Sequence, residues 1–401
     1  MSTSIADGIN RWIVRASLDG ADEVSIVDGA CTRLAAAGVP LMRAALVGDM
    51  LDPSFDSLGV RWTRDKGAVH ETFLRATDAA SSQAWLTSPF HVLVTGPDAR
   101  LRRRLDATYR TGEFPVLDEF QQRGGTDYVA MAVRLGEAMW LGETRGVVAS
   151  WLTDAPTGFD EDAVDLLAES LPALSTVFLW RSMQRSARSL MTTYLGTDAA
   201  QRVLAGNVVR GRAEAIHAVV WYSDLVGFTR IADAHPAELV LAMLNEYAEA
   251  QVEAIESRGG HVLKFIGDGL LAIFPHGDDS GACARALDAA AEARRRLDAL
   301  NGTRRAAGLP VSDAHIALHI GELLYGNVGS PRRLDFTVLG AAVNEAARIE
   351  ALCGSLDQHV IVSSAFALAA GDEARSRLVS LGRYAMKGVA RPQELYTLDP
   401  G

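Results

Sequence analysis

The chain has 401 residues, with 39 Lys+Arg against 50 Asp+Glu and a formal net charge of −11. At roughly 150 residues per domain that length predicts two or three domains, and 48% hydrophobic with 22% charged residues is ordinary globular composition. An acidic chain without a Lys/Arg block is a poor nucleic-acid binder of the phosphate-neutralising kind, but a small polyanion stays open, because local fields outweigh total charge.

Three widely spaced cysteines, Cys31, Cys283 and Cys353, read as reduced thiols of a cytoplasmic protein rather than a disulfide framework. The first twenty residues lack the basic-then-apolar pattern of a leader. No run of about 18 apolar residues is free of charge, so no membrane insertion is expected.

In chain order, residues 8–38 read as helical pieces with Trp12, Ile13, Leu34 and Ala35 among the apolar positions. Pro40, Pro53 and the Gly/Asp-rich stretch to Lys66 read as loop or short strand. From about 85 the pattern becomes strand-like, with β-branched or aromatic runs at 126–135 and 145–153. His70 and His91 read as structural or exposed. Acids at Asp160, Glu161 and Asp162 open a helix carrying Val164, Leu167, Leu171, Leu174 and Phe178 at helical spacing. These elements predict a small α/β module over 1–185. A helical connector follows at 186–213, broken at Gly206 and Gly211.

The rhythm sharpens over 214–401. A strand at 216–225 is followed by a helix ended by Gly259-Gly260. Residues 261–274 read as two strands around a tight Gly267-Asp268-Gly269 turn. A helix over 280–300 and a strand over 315–329 complete the order β-α-β-β-α-β, a ferredoxin-like α+β arrangement. A helix at 340–353, a strand at 359–364 and a C-terminal strand pair follow.

Asp224 ends the first of these strands and Asp268 sits on the hairpin tip. In a ferredoxin-like sheet those strands lie side by side, so the two carboxylates can converge. Close carboxylates repel unless a cation sits between them, and Mg²⁺ takes one or two carboxylates plus phosphate oxygens. The backbone through Phe228 and Thr229 offers N–H groups to phosphate. Taken singly, each aspartate is equally well a strand-end cap or a turn residue. Lys264, inside an apolar strand, is either a snorkelling edge residue or a donor to a ligand base. Asn344 and Arg348, at i and i+4, share one helix face; alone, such a pair is usually a solvated stripe.

Taken together, YSDLVGFTRI, LKFIGDGLLAIF, GNVGSPRRLDFTVLGAAVNEAARIE and MKGVARPQELYTL closely resemble a class III nucleotidyl cyclase catalytic domain, over about 214–398. The resemblance implies that Asp224 and Asp268 hold two Mg²⁺ (Mn²⁺ as substitute), assisted by the Leu225 carbonyl. It implies that Lys264 and Thr337 read the purine, Asn344 orients the ribose, and Arg348 stabilises charge at the α-phosphorus. Lys387 matches a triphosphate-binding lysine, and Arg332 or Arg333 a second phosphate contact. A complete set on one chain implies a homodimer with sites shared between subunits. The implied reaction is ATP to 3′,5′-cyclic AMP and pyrophosphate. Thr337 stands where many adenylyl members carry Asp, so guanylate or dual specificity is an alternative, as is a nucleotide-binding scaffold without turnover. The hairpin signature of a diguanylate cyclase is absent. Residues 1–185 loosely resemble a GAF-like sensory domain, with an unidentified small-molecule or protein signal.

Overall fold

The computed structural model describes residues 2–49, 55–74, 79–136, 146–276, 281–386 and 392–399. It divides into two compact units, Met1–Leu190 and Met191–Gly401.

The first unit opens with α1 (Ser2–Leu18) and α2 (Glu23–Ala36), the latter capped by the Asp22 carboxylate accepting from the Ser25 N–H at 2.7 Å. The stretch to Lys66, expected as loop or short strand, is instead regular strand: β1 (Arg43–Asp49) and β2 (Phe55–Thr63), followed by β3 (Gly67–Leu74). Leu58, Val60 and Trp62 alternate into the core, a period-two signal that the neighbouring Gly and Asp residues mask. The region from 85, expected as strand, begins helical instead. It holds α3 (Ala79–Leu86), α4 (Pro89–Thr95) and α5 (Pro115–Gln122), with only β4 (Arg100–Arg104) between them. Ser88 caps α4 and Pro89 occupies its first turn, where proline is pre-organised for helix. β5 (Asp127–Arg134) and β6 (Gly146–Thr153) fall where expected.

These strands form one antiparallel sheet in the order β3-β2-β1-β6-β5-β4. One face packs on α1, α2 and α6 (Glu161–Leu195). The other packs on α4 and α5 through Leu93, Leu117 and Phe120. α6 is long and apolar enough by length and composition to cross a membrane, yet Val164, Leu167, Leu171 and Phe178 are buried in the sheet's core, as in a soluble core helix.

The second unit contains α7 (Thr197–Leu204), which lies inside the segment expected as connector. Ala199 and Ala200 are buried there, and the chain turns at Gly196 (φ 81°) as well as at Gly206 and Gly211. Then come β7 (Ala213–Leu225), α8 (Phe228–Ala234), α9 (Ala237–Glu256), β8 (His261–Ile266), β9 (Gly269–Pro275), α10 (Ala282–Ala306) and β10 (Ala314–Ser330). α9 buries Val240, Met243, Tyr247, Gln251 and Ala254, a three-and-four spacing that presents one stripe to the core. α10 packs beside it through an alanine-rich face. The buried Tyr247 hydroxyl hydrogen-bonds Asn301 of α10 and accepts from the Ser312 N–H at 2.8 Å, locking both helices to the entry of β10.

The sheet runs β13 (Leu378–Tyr384), β14 (Gln393–Leu398), β12 (Val360–Ser363), β10, β7, β9, β8. Its β10-β7-β9-β8 half is the expected β-α-β-β-α-β arrangement. β11 (Arg333–Leu339), which sequence patterning did not resolve, hairpins back on β10. α11 (Ala341–Glu350), α12 (Cys353–Leu356), β12 (Val360–Ser363), α13 (Ser364–Ala369), α14 (Asp372–Ser376), β13 (Leu378–Tyr384) and β14 (Gln393–Leu398) complete it. All three cysteines are free and buried: Cys31 in the first unit, Cys283 and Cys353 in the second. Burial pushes the thiols of Cys283 and Cys353 up to about 12 and that of Cys31 up as well.

Candidate active site

The β7–β9 ladder pairs Ser223 with Leu270, which sets Asp224 beside the β8–β9 turn. Asp268, in that turn, accepts from the Leu225 N–H at 3.3 Å. The Asp224 carboxyl is pushed up to about 6, first by burial and then by the Asp268 charge and a hydrogen bond shared with it. Gly269 makes the approach possible. A Cβ there would lie 2.1 Å from the Ser223 carbonyl oxygen and 3.1 Å from Asp224 Oδ1. Gly267 adopts φ 64° with open space around it, so asparagine, which tolerates that conformation, fits. Gly269→Ala is therefore expected to cost about 3 kcal/mol and to pull the two carboxylates apart, whereas Gly267→Asn is near neutral. Denaturant unfolding and nucleotide turnover of both variants check this.

Two half-buried carboxylates facing each other, one holding its proton to about pH 6 for want of a counter-charge, suit a hard divalent cation. No trio of His, Cys, Asp or Glu among the described residues forms a preformed metal cage. A pair of carboxylates leaves the remaining positions of such an ion open to other oxygen donors.

Glu350, at the end of α11, was not singled out from the sequence. Its carboxyl is pushed up to about 7 by burial and by the charges of Asp224 and Asp268, and its Oε1 lies 3.8 Å from His315 Nδ1. His315 is the β10 residue opposite Asp224 in the β7–β10 ladder. Only packing of α11 over β7 and β10 brings Glu350 here, so no sequence spacing announces it. It adds negative potential beside the pair.

A second cluster lies on β8 and β11. The β8–β9 register shifts between Val262 and Lys264. This bulge lets Leu263 bury and sends Lys264 to an ion pair with Asp335 of β11. Asp335 and Thr337 are two apart on one strand, so they share a face. Thr337 is 6% exposed, whereas the Asp335 side chain is 56% exposed. The predicted base-reading residues therefore have Asp335 as a third member. Its place two residues before Thr337 is the one trace of this in the sequence. Among the described residues, no hydrogen bond or ion pair links this cluster to Asp224 and Asp268.

Asn344 is exposed and Arg348 half-buried on α11, which packs through Ala342, Ala346 and Ile349. Arg332 and Arg333 are exposed in the β10–β11 turn region, the Arg333 N–H donating to Ser330 Oγ at 3.1 Å. Phe228 and Thr229 begin α8 after Gly227, which is left-handed at φ 66°. Lys387 lies outside the described residues. Exposed apolar side chains flank both clusters: Val226 beside Leu225, Phe265 and Ile266 beside Lys264, and Leu334 beside Asp335.

One ferredoxin-like sheet thus carries both the paired aspartates and the lysine-led cluster. Residues 212–400 match the family model of the adenylate and guanylate cyclase catalytic domain. The chain is 30% identical over 182 residues to adenylate cyclase 1 of Rhizobium meliloti, covering 44% of this chain and 26% of that one. It is 29% identical over 212 residues to an adenylate cyclase of Anabaena cylindrica, covering 50% and 41%. The chain thus spans between a quarter and two fifths of the length of these relatives. The structure of a bacterial light-regulated adenylyl cyclase superposes with TM-score 0.50 at 20% identity, covering 67% of this chain and 86% of that one, a likeness of fold.

Proposed function

We propose that the chain is an adenylate cyclase, converting ATP to 3′,5′-cyclic AMP and pyrophosphate in a cytoplasmic homodimer. The observation that carries this is the pairing of two chemistries on one sheet: the Asp224–Asp268 pair for the triphosphate end and the Lys264–Asp335–Thr337 cluster for the base. Divalent cations (Mg²⁺ or Mn²⁺) held by Asp224, Asp268 and the Leu225 carbonyl would supply acidification of the ribose 3′-hydroxyl and neutralisation of phosphate charge. The chain's own groups do the rest. Asn344 orients the ribose, Arg348 meets charge developing at the α-phosphorus, and Arg332 or Arg333, Lys387 and the backbone at Phe228 and Thr229 hold phosphates. The exposed apolar residues beside both clusters fit coverage by a second copy. The first unit is proposed to act as a GAF-like sensory module.

The base cluster favours adenine. Lys264 can only donate, which suits adenine N1, while the Thr337 hydroxyl and the Asp335 carboxylate can accept from the N6 amino group. Guanine presents the opposite pattern, an acceptor at O6 and a donor at N1. Turnover of ATP and GTP with Mg²⁺ and with Mn²⁺ tests the reading; equal kcat/KM for the two nucleotides would refute it. Asp335→Asn is expected to lower kcat/KM for ATP by about tenfold and to narrow the ATP:GTP ratio, because a site built on charge-assisted hydrogen bonds loses discrimination when one is weakened. Steady-state kinetics with both nucleotides checks it.

A further inference from the structure

We propose that the first unit carries a binding site for a small organic carboxylate, anchored by Arg43. The site is separate from the cyclase chemistry and does not depend on it. A cleft of about 480 Å³ opens on the α5 side of the sheet, lined by Arg43, Arg64, Phe120, Arg123, Leu152 and Asp154 among others. That volume suits a small ligand.

Arg43 lies in β1 between Thr63 of β2 and Leu152 of β6. Its neighbour Ala44 faces the α2–α6 core, so Arg43 faces the opposite side. The guanidinium sits 4.9 Å from the centre of the Phe120 ring. It makes no hydrogen bond or ion pair with any described residue. Burial lowers its pKa, and the nearby cations Arg61 and Arg123 act in the same sense. The charge of Glu71 reaches it, but that carboxylate is shared with Arg61 at 3.3 Å.

The other charged groups of the cleft are already committed. Arg64 is held by Asp154 through two hydrogen bonds of 2.9 and 2.8 Å and donates to the Leu41 carbonyl at 2.8 Å. Asp65 is exposed and hydrogen-bonded to Thr63. Arg123 stands at the rim, its contact to Glu119 only 3.5 Å and exposed. The cleft therefore offers one uncommitted guanidinium, a second cation at the mouth, and an apolar floor of Phe120 and Leu152. Arg43 is half-buried, so its charge is partly withdrawn from water without an anionic partner of its own among the described residues. Stacking on a ring occupies the guanidinium face and leaves its in-plane fork free, a fork that matches a carboxylate bidentately. The apolar floor selects an organic body over a fully hydrated inorganic anion.

The test uses the full chain with benzoate as probe, benzamide as its neutral isostere and inorganic phosphate as the inorganic anion, measured by equilibrium dialysis. Saturable benzoate binding is expected, at least about tenfold tighter than benzamide and than phosphate, and at least about tenfold weaker in Arg43→Met. Arg43→Lys, which keeps a cation but not the fork, should also bind at least about fivefold more weakly, and it decides the matter if the methionine variant does not fold. Absence of saturable benzoate binding, equal affinity for benzamide, tighter phosphate binding, or undiminished binding in both variants would each overturn the assignment.

Discussion

Asp268→Ala is expected to cut ATP turnover by about 10³-fold or more, the scale seen when preorganised charge at a reacting phosphoryl group is lost, without destabilising the metal-free chain. The second half follows from the geometry. Asp224 and Asp268 face each other, and Asp224 is raised from its ordinary 3.8 to about 6. A carboxyl raised in the folded state contributes stability that is full below the ordinary value and is lost as pH rises through the raised one. The metal-free wild type should therefore melt progressively lower from about pH 4 to above pH 6. Removing Asp268 lifts the repulsion and brings Asp224 part of the way back toward its ordinary value, so that dependence weakens, while burial of Asp224 and Glu350 keeps the remainder. Added Mg²⁺ or Mn²⁺ should stabilise the wild type at pH 8, do little at pH 5 where Asp224 is protonated, and leave Asp268→Ala unmoved. Thermal melts with and without cation at both pH values, alongside turnover assays, read all of this. A variant that keeps its turnover, or its cation-dependent melting shift, would refute the assignment of Asp268.

The second large effect concerns the assembly. If each active site takes Asp224 and Asp268 from one subunit and Asn344 and Arg348 from the other, Asp268→Ala and Arg348→Ala homodimers are each inactive. Mixed and allowed to exchange, they form heterodimers in which one site carries both lesions and the other carries none. Random exchange makes half the dimers mixed with one sound site each, so activity should return to about a quarter of wild type. Sites contained within single subunits would give no recovery on mixing. Phe265→Asp, which places a charge among the exposed apolar residues beside Lys264, should abolish both the recovery and the dimer in sedimentation.

Much of the second unit was legible because its candidate site lies in short, local signatures. The Gly267-Asp268-Gly269 turn names a hairpin, and the Asp224 strand end names its neighbour. Their convergence follows once the strand order is known. What sequence could not deliver depended on packing. Glu350 reaches the aspartates only because α11 lies across β7 and β10. Asp335 meets Lys264 only because a bulge in β8 turns the lysine aside. In the first unit, the apolar alternation of β2 covers only Leu58, Val60 and Trp62, too short a run to stand out beside the Gly and Asp residues around it. The helices after residue 79 are short, so their caps at Ser88 and Pro89 carry more information than their periodicity.

The buried thiols make each unit its own clock. Cys31 marks the first unit, and Cys283 and Cys353 the second. With their pKa values raised by burial they are almost wholly protonated at neutral pH, and alkylating reagents react with thiolate. Modification therefore waits for opening of the surrounding core, whereupon the exposed thiol regains its ordinary acidity and reacts. Mass-resolved labelling at Cys31 against Cys283, across a denaturant series, would time the loss of each core within one molecule, with no introduced probe.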